Sequence, residues 1–210
     1  MNWLFDFDGT LVDSMPTYGQ MMLGILDEHR VPYPAHVLKI TTPLGYEKTA
    51  VYFRELGVPE SVEALVARMN ATALEAYANH IPAKPHVIEV LHALKARGDN
   101  LNVLTASPHT MLDPCLKRLG VFDLFSNVWS CEDFGTTKAD PNIYHMAAEK
   151  IGCSVGDVWF LDDNLGADRT ARQAGMLVCG VYDDSSADEE DAIRAAAHRY
   201  IRDFMELLDF

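Results

Sequence analysis

Trp3-Leu4-Phe5-Asp6-Phe7-Asp8-Gly9-Thr10 is the stretch on which the reading of this chain turns. Three consecutive large apolar residues suit a strand buried on both faces. That strand runs directly into two carboxylates, although a strand tip offers few donors to stabilise them. In open α/β sheets, ligands bind just beyond the carboxyl ends of the strands, where these acids fall. Two acids one residue apart repel each other unless a cation lies between them or one keeps a proton. A hard divalent ion with oxygen ligands, Mg2+ foremost, meets that need. The competing account is a capped turn with Asp8-Gly9 at its apex. An EF-hand fits worse, because the further spaced ligands are missing.

The rest of the chain repeats the strand-then-helix rhythm. Short apolar runs fall at Asn2 to Phe5, Leu101 to Leu104, Asn127 to Trp129, Val158 to Leu161 and Leu177 to Val181. Between them lie helical patterns such as His86 to Arg97 and Asn142 to Ile151, each closed by a glycine. This order predicts an α/β fold with a doubly wound, Rossmann-like parallel sheet. From 14 to 83 the pattern is helical throughout, with Met15, Tyr18, Met22 and Ile25 on one face and Val62, Leu65, Val66, Met69 and Ala73 on another. Proline-punctuated linkers, including Ile81-Pro82-Ala83-Lys84-Pro85, surround it. The expected division is therefore a sheet domain of residues 1–13 and 84–210, interrupted by a helical subdomain at 14–83. The tail opens on an acidic run from Asp183 to Asp191. Its residues Ile193, Ala197, Tyr200, Ile201, Phe204 and Leu208 predict one packed terminal helix.

Three further strand ends carry polar groups. Leu104-Thr105-Ala106-Ser107 offers a hydroxyl followed by free backbone N–H groups, which suits a phosphate or oxyanion. Lys138, in Thr136-Thr137-Lys138-Ala139-Asp140-Pro141, is one of few lysines in an acidic chain. Phe160-Leu161-Asp162-Asp163-Asn164, followed by Asp168, repeats the strand-into-acids arrangement of Asp6 and Asp8. Each has an ordinary structural account as a cap, turn or solvated loop. Together they describe a charged pocket along one edge of a parallel sheet.

Composition narrows the function classes. The 210 residues carry 17 basic and 31 acidic side chains, a formal charge of -14. Such a chain lacks the basic face that binds a nucleic-acid backbone or an anionic membrane, while a local cation still admits a small anion. The four cysteines contain no CxxC pair, and no apolar run reaches the length of a membrane span. No basic leader precedes the first strand. The expectation is a cytoplasmic protein acting on a small molecule, as a monomer or homodimer.

In this order the motifs resemble those of the haloacid dehalogenase superfamily: Asp6-Phe7-Asp8-Gly9-Thr10-Leu11-Val12-Asp13-Ser14, then Thr105, then Lys138, then Asp162-Asp163 with Asp168. The helical insertion looks like the cap of the subgroup containing phosphoglycolate phosphatases and β-phosphoglucomutases. The resemblance implies a phosphatase for a small phosphorylated metabolite. Asp6 would be the nucleophile that forms an aspartyl-phosphate, and Asp8 the general acid and base. The Asp6 carboxylate, the Asp8 carbonyl and Asp163 would hold Mg2+. Thr105 and the Ala106 amide would bind phosphoryl oxygens, and Lys138 would stabilise charge on nucleophile and phosphate.

This sequence departs from the family pattern in two places. Asp162 stands where many relatives have glycine, which leaves Asp163 as the metal-binding acid, Asp168 as the next candidate and Asp162 as a supporting group. The residues after Lys138 are Ala139-Asp140-Pro141 where many members have proline at once. Members that cleave carbon–halogen bonds lack the second aspartate, so Asp8 argues against that chemistry. β-Phosphoglucomutases carry a histidine in the linker after the first motif, and the matching position here is Tyr18. Their basic cap loop is not evident in Thr41-Thr42-Pro43-Leu44-Gly45-Tyr46-Glu47-Lys48, where Lys48 could reach a substrate anion but is more simply read as a solvated lysine at a helix start. Phosphomonoester hydrolysis is therefore expected ahead of phosphosugar mutation. A non-enzymatic phospho-acceptor, as in response-regulator receivers, shares the acids, Thr and Lys but is shorter and lacks the insertion.

Overall fold

Six parallel strands form one sheet in a computed structural model that describes every residue except Pro43. They are β1 (Asn2–Phe5), β2 (Asn100–Thr105), β3 (Asn127–Ser130), β4 (Val158–Asp162), β5 (Leu177–Val181) and β6 (Arg199–Ile201), in spatial order β3-β2-β1-β4-β5-β6. β1 sits between β2 and β4, with Phe5 level with Val103 on one side and Leu161 on the other. A strand flanked on both edges and both faces has to be apolar, and Trp3, Leu4 and Phe5 are fully buried.

Helices cover both faces. α5 (Val87–Ala96), α6 (His109–Arg118), α7 (Asn142–Ile151), α8 (Leu165–Ala174) and α9 (Glu190–Ala196) belong to this unit. One core cluster joins Leu4, Leu104, Phe160 and Val178 of the sheet to Ile143, Tyr144 and Ala147 of α7 and to Ala171 of α8. Phe160 lies edge-on to Tyr144, with ring centroids 5.1 Å apart. On the other face Trp3 and Phe5 meet Phe210 and Phe204 of the C-terminal segment at 5.6 and 6.3 Å. α8 starts directly after the acids of β4 because Asn164 caps it, accepting from the amides of Gly166 and Ala167.

The chain divides into two compact units, one of Met1–Asp13 with Ile81–Phe210 and the other of Ser14–His80. The second is all helical: α1 (Met15–Glu28), α2 (Val37–Thr41), α3 (Gly45–Leu56) and α4 (Val62–Asn79). Its core is built from Met22, Ile25, Leu26, Phe53, Leu65 and Met69. Pro43 of the Thr41-to-Lys48 stretch lies outside the described residues. Where the first unit gives way to the second, the chain's outgoing and returning segments pair. Asp13 N donates to the Pro82 carbonyl at 3.0 Å and Lys84 N to the Leu11 carbonyl at 3.0 Å, about an antiparallel bridge between Val12 and Ala83.

The tail is not the single helix that its apolar spacing predicts. A 3-10 turn (Asp184–Glu189) leads into α9, which stops at Ala197, and the chain then enters β6 and a second 3-10 turn (Phe204–Asp209). The sheet edge wins this competition. His198 N donates to the Val178 carbonyl at 2.8 Å, and the Val178 amide donates back to His198 Nδ1 at 3.0 Å. Gly180 makes the close approach possible, since a Cβ there would stand 2.5 Å from Ile193 Cγ2 and 2.8 Å from Tyr200 Cδ2. A helical period in the tail therefore coexists with a short strand.

Two outcomes follow from this packing. Phe160→Ala deletes a ring at the centre of the sheet unit and is expected to cost about 3–5 kcal/mol, read as a shifted denaturation midpoint of that unit. His109 at the start of α6 pairs both ring nitrogens with carboxylates, Nδ1 with Asp113 and Nε2 with Asp133, each at 2.8 Å. Both nitrogens donate only in the imidazolium, so these hydrogen bonds raise the ring's pKa above 6.5. The clamp is then fully present below the unfolded-state pKa and is lost as pH rises through the raised folded value. Its worth is about 0.5 kcal/mol or less at this half-exposed position. NMR titration of His109 should give a pKa above that of His109 in the Asp113→Asn/Asp133→Asn variant.

Candidate active site

Asp6 and Asp162 leave the sheet side by side, because β1 and β4 are in register and Asp6 N still donates to the Leu161 carbonyl at 2.8 Å. The strand order reverses between these two strands, so the acids lie at the topological switch point. Lys138, on the turn that precedes α7, stands 2.7 Å from Asp6 Oδ1 and 2.7 Å from Asp162 Oδ2. Tyr144 steadies that turn, its hydroxyl lying 3.0 Å from the Lys138 carbonyl and 3.1 Å from that of Ala167. Asp162 Oδ1 also accepts from the Asn164 amide at 2.8 Å.

Asp163 rests against the first loop. Gly9 has φ +73°, and a Cβ there would lie 2.6 Å from Asp163 Oδ2, so glycine is needed both for its backbone conformation and for its lack of a side chain. Beside it Thr10 Oγ1 donates to Asp163 Oδ1 at 3.1 Å. The result is a buried triad, Asp6, Asp162 and Asp163, with one oxygen from each lying within 4.8 Å of the others.

The electrostatics show what this triad lacks. Burial, then the neighbouring charge of Asp162, push the Asp6 carboxyl up to about 7 against the lowering effect of Lys138. Burial, with Asp162 and Asp6, raises Asp163 well above the usual carboxylate range. Burial works against the Lys138 charge, but Asp162 and Asp6 outweigh it and hold the ammonium firmly protonated. With all three carboxylates ionised, one ammonium would leave an excess of two negative charges, and the raised pKa values of Asp6 and Asp163 reflect that imbalance. Asp6 Oδ1, though ion-paired at close range, has no well-aligned hydrogen bond. A divalent cation with oxygen ligands fits both the charge and the donor set.

β2 contributes from the other side of β1. Thr105 is buried at the strand end and its hydroxyl accepts from the Ser107 amide at 3.1 Å. Ser107 Oγ in turn donates to Asp8 Oδ2 at 2.5 Å. Ala106, between them, is exposed. The site thus draws on the carboxyl ends of β1, β2 and β4 and on the turn after β3.

Among the sequence-predicted residues, Asp6, Lys138 and Asp163 come together directly, and Asp8 and Thr105 are joined through Ser107. Asp162 is more central than its supporting role suggests, since it shares Lys138 with Asp6. Asp168 falls outside the triad: it is buried on α8, and a Cβ on Gly180 would be 3.4 Å from its Oδ2. Burial and the charge of Asp162 raise its pKa well above the usual range. Lys48 belongs to the helical unit, where it lines a groove of about 570 Å3 with Val51, Val62 and Val66. Sequence reasoning missed the Ser107–Asp8 contact and the seat that Gly9 and Thr10 provide for Asp163. The motif letters were visible, but which side chains they would touch was not.

Comparison with known proteins agrees with this geometry. The sequence model of the haloacid dehalogenase-like hydrolase family matches residues 3–181. A phosphoglycolate phosphatase of Haemophilus influenzae (strain 86-028NP) is 27% identical over 187 residues, covering 84% of this chain and 83% of its own. The validoxylamine A 7'-phosphate phosphatase of Streptomyces hygroscopicus subsp. limoneus is 25% identical over 199 residues, covering 90% and 91%. Among solved structures, a HAD family hydrolase from Deinococcus radiodurans R1 superposes with a TM-score of 0.81 at 21% identity, covering 98% of this chain and 92% of that one. Sheet order, the placement of the acids and the family match together make this chain a member of the haloacid dehalogenase-like hydrolase family.

Proposed function

We propose that the protein is a Mg2+-dependent phosphatase that hydrolyses a small phosphomonoester through an aspartyl-phosphate on Asp6. The observation that carries this reading is the buried triad Asp6, Asp162 and Asp163 at the switch point of the sheet, with Lys138 paired to Asp6 and Asp162. Relatives named as phosphatases, at 25–27% identity over most of the chain, support the same reaction class.

Asp6, Asp163 and the Asp8 carbonyl would hold the cation, which neutralises the clustered acids and the phosphoryl oxygens. The Asp6 carboxylate attacks phosphorus as the ester oxygen leaves, and Asp8 gives that oxygen a proton. Asp8 then takes a proton from water, whose oxygen attacks the same phosphorus. Inorganic phosphate departs and Asp6 is restored. Ser107 holds Asp8 by its Oδ2 and so orients the carboxyl for proton transfer. Lys138 stays charged throughout, its pKa held high by Asp162 and Asp6, and so stabilises the growing negative charge. Thr105 and the Ala106 amide bind phosphoryl oxygens at the end of β2.

Hydrolysis is favoured over phosphosugar mutation by Tyr18, which occupies the place of the mutase histidine. Burial raises its phenol pKa above 10, so it keeps its proton at neutral pH and does not replace an imidazole. Lys48 lies on α3 of the helical unit. Within that unit the groove it lines carries Glu47 and Glu63 as well as Lys48.

Phosphate release from p-nitrophenyl phosphate and a panel of phosphorylated metabolites tests the reading, with and without Mg2+. Turnover should require the metal, and Asp6→Asn should lower kcat by about 10³-fold or more, as loss of a nucleophile does. A wild-type protein that releases no phosphate from any of these compounds would refute the assignment. A second measurement needs no substrate. In EDTA, Asp163→Asn should unfold at a higher temperature than wild type, because it removes one of three mutually repelling buried acids. Adding Mg2+ at about 100 times its dissociation constant should stabilise wild type by about 2.7 kcal/mol and leave Asp163→Asn nearly unchanged.

A further inference from the structure

Lys84 has a part in this site that its place in a linker does not suggest. It lies on the segment returning from the helical unit, its side chain only 13% exposed. An ammonium has three N–H donors, and here three acceptors take them. They are the Gly9 carbonyl at 2.6 Å, the Tyr182 carbonyl, and Asp183 Oδ2 at 3.0 Å. Asp183 is itself buried and is held by the Ser185 amide and hydroxyl at 2.9 and 2.5 Å.

Two of these contacts, to Gly9 and to Asp183, bear on the acid triad. Gly9 is the residue against which the Asp163 carboxylate rests, and its amide is already tied to the Val12 carbonyl at 3.0 Å. With the carbonyl fixed by Lys84, both faces of that peptide position are held. Asp183 adds a further negative charge that Asp163 feels, and Lys84 is the cation paired with it. Tyr182 and Asp183 follow immediately after residue 181, where the family match ends.

We propose that Lys84 is a positioning residue for the candidate active site: its ammonium pins the Gly9 carbonyl, fixes the loop that seats Asp163, and makes the metal affinity of the triad depend on residues 182–183. This rests on the reading of the triad as a Mg2+ site. A second link between the same linker and the tail, His86 Nδ1 to Asp203 at 2.8 Å, is exposed and touches none of the triad residues, so it offers a control.

Calorimetric titration of the full chain with MgCl2 is the primary test. Lys84→Met should weaken Mg2+ binding by about tenfold or more, the range expected when a group supporting a metal ligand is removed. With p-nitrophenyl phosphate at saturating Mg2+, kcat should fall while KM changes by less than about threefold, since Lys84 supports a transition-state group rather than substrate binding. Asp203→Asn should leave both within about twofold, as an exposed pair contributes little. Lys84→Met strands the buried Asp183 carboxylate, so the same titration is run on Lys84→Met/Asp183→Asn, which removes both charges. A folded single or double variant that binds Mg2+ as tightly as wild type overturns the positioning role. A wild type that gives no Mg2+ binding heat overturns the metal reading and this proposal with it.

Discussion

Three buried carboxylates cluster where the sheet reverses its strand order, and two of them, Asp6 and Asp162, share the ammonium of Lys138. An arrangement of this kind costs stability, because desolvated like charges are opposed by too few partners. It persists because the fold around it is fixed by other means. β1 is held on both edges by hydrogen-bonded neighbours and on both faces by aromatic and aliphatic packing, so its tip cannot retreat from Asp162. Capping of α8 by Asn164, the Tyr144 hydroxyl under Lys138 and the bare backbone of Gly9 each settle the position of one member. The scaffold's rigidity is what allows a cluster of acids to stay poised for a cation and a phosphoryl group.

The parts of the molecule legible in the sequence were those in which one local pattern had a single outcome. Trp3-Leu4-Phe5 and Val158 to Leu161 are too short and too apolar to be anything but inner strands, and both are. The acids that follow them therefore had to emerge together once the strands were neighbours. Asp162 was harder to place, because two adjacent acids on one strand end are chemically equivalent in a sequence. Distant contacts distinguish them: the turn carrying Lys138 reaches Asp162 Oδ2, while Thr10 donates to Asp163 Oδ1. The contacts of Ser107 and Lys84 span 99 and 75 positions in the chain, a separation at which periodicity carries no information.

The C-terminal segment shows the opposite limit. Its apolar residues recur at helical spacing, and a short helix does form there. The open edge of β5 then captures the chain after Ala197, since unpaired strand donors and acceptors gain more from a partner than three residues gain from another helical turn. A glycine in β5 leaves room for that capture, and His198 of the tail bonds Val178 beside it. The signal was therefore present but lay about twenty residues upstream of the element it controls.

The pairing of Val12 with Ala83 has a kinetic side. β1 must find β2 across the whole insertion, Asn2 opposite Asn100. If residues 14–80 stayed unstructured, closing that loop would carry the entropy of a chain of about a hundred residues. The helical unit has its own core and local contacts, so it can form early and leave its two ends side by side. The distance along flexible chain then shrinks to roughly a third, which lowers the closure cost by about 1 kcal/mol. An insertion that doubles as a prefolded hairpin lets the first strand of the sheet, made first during synthesis, wait for its partner at little entropic disadvantage.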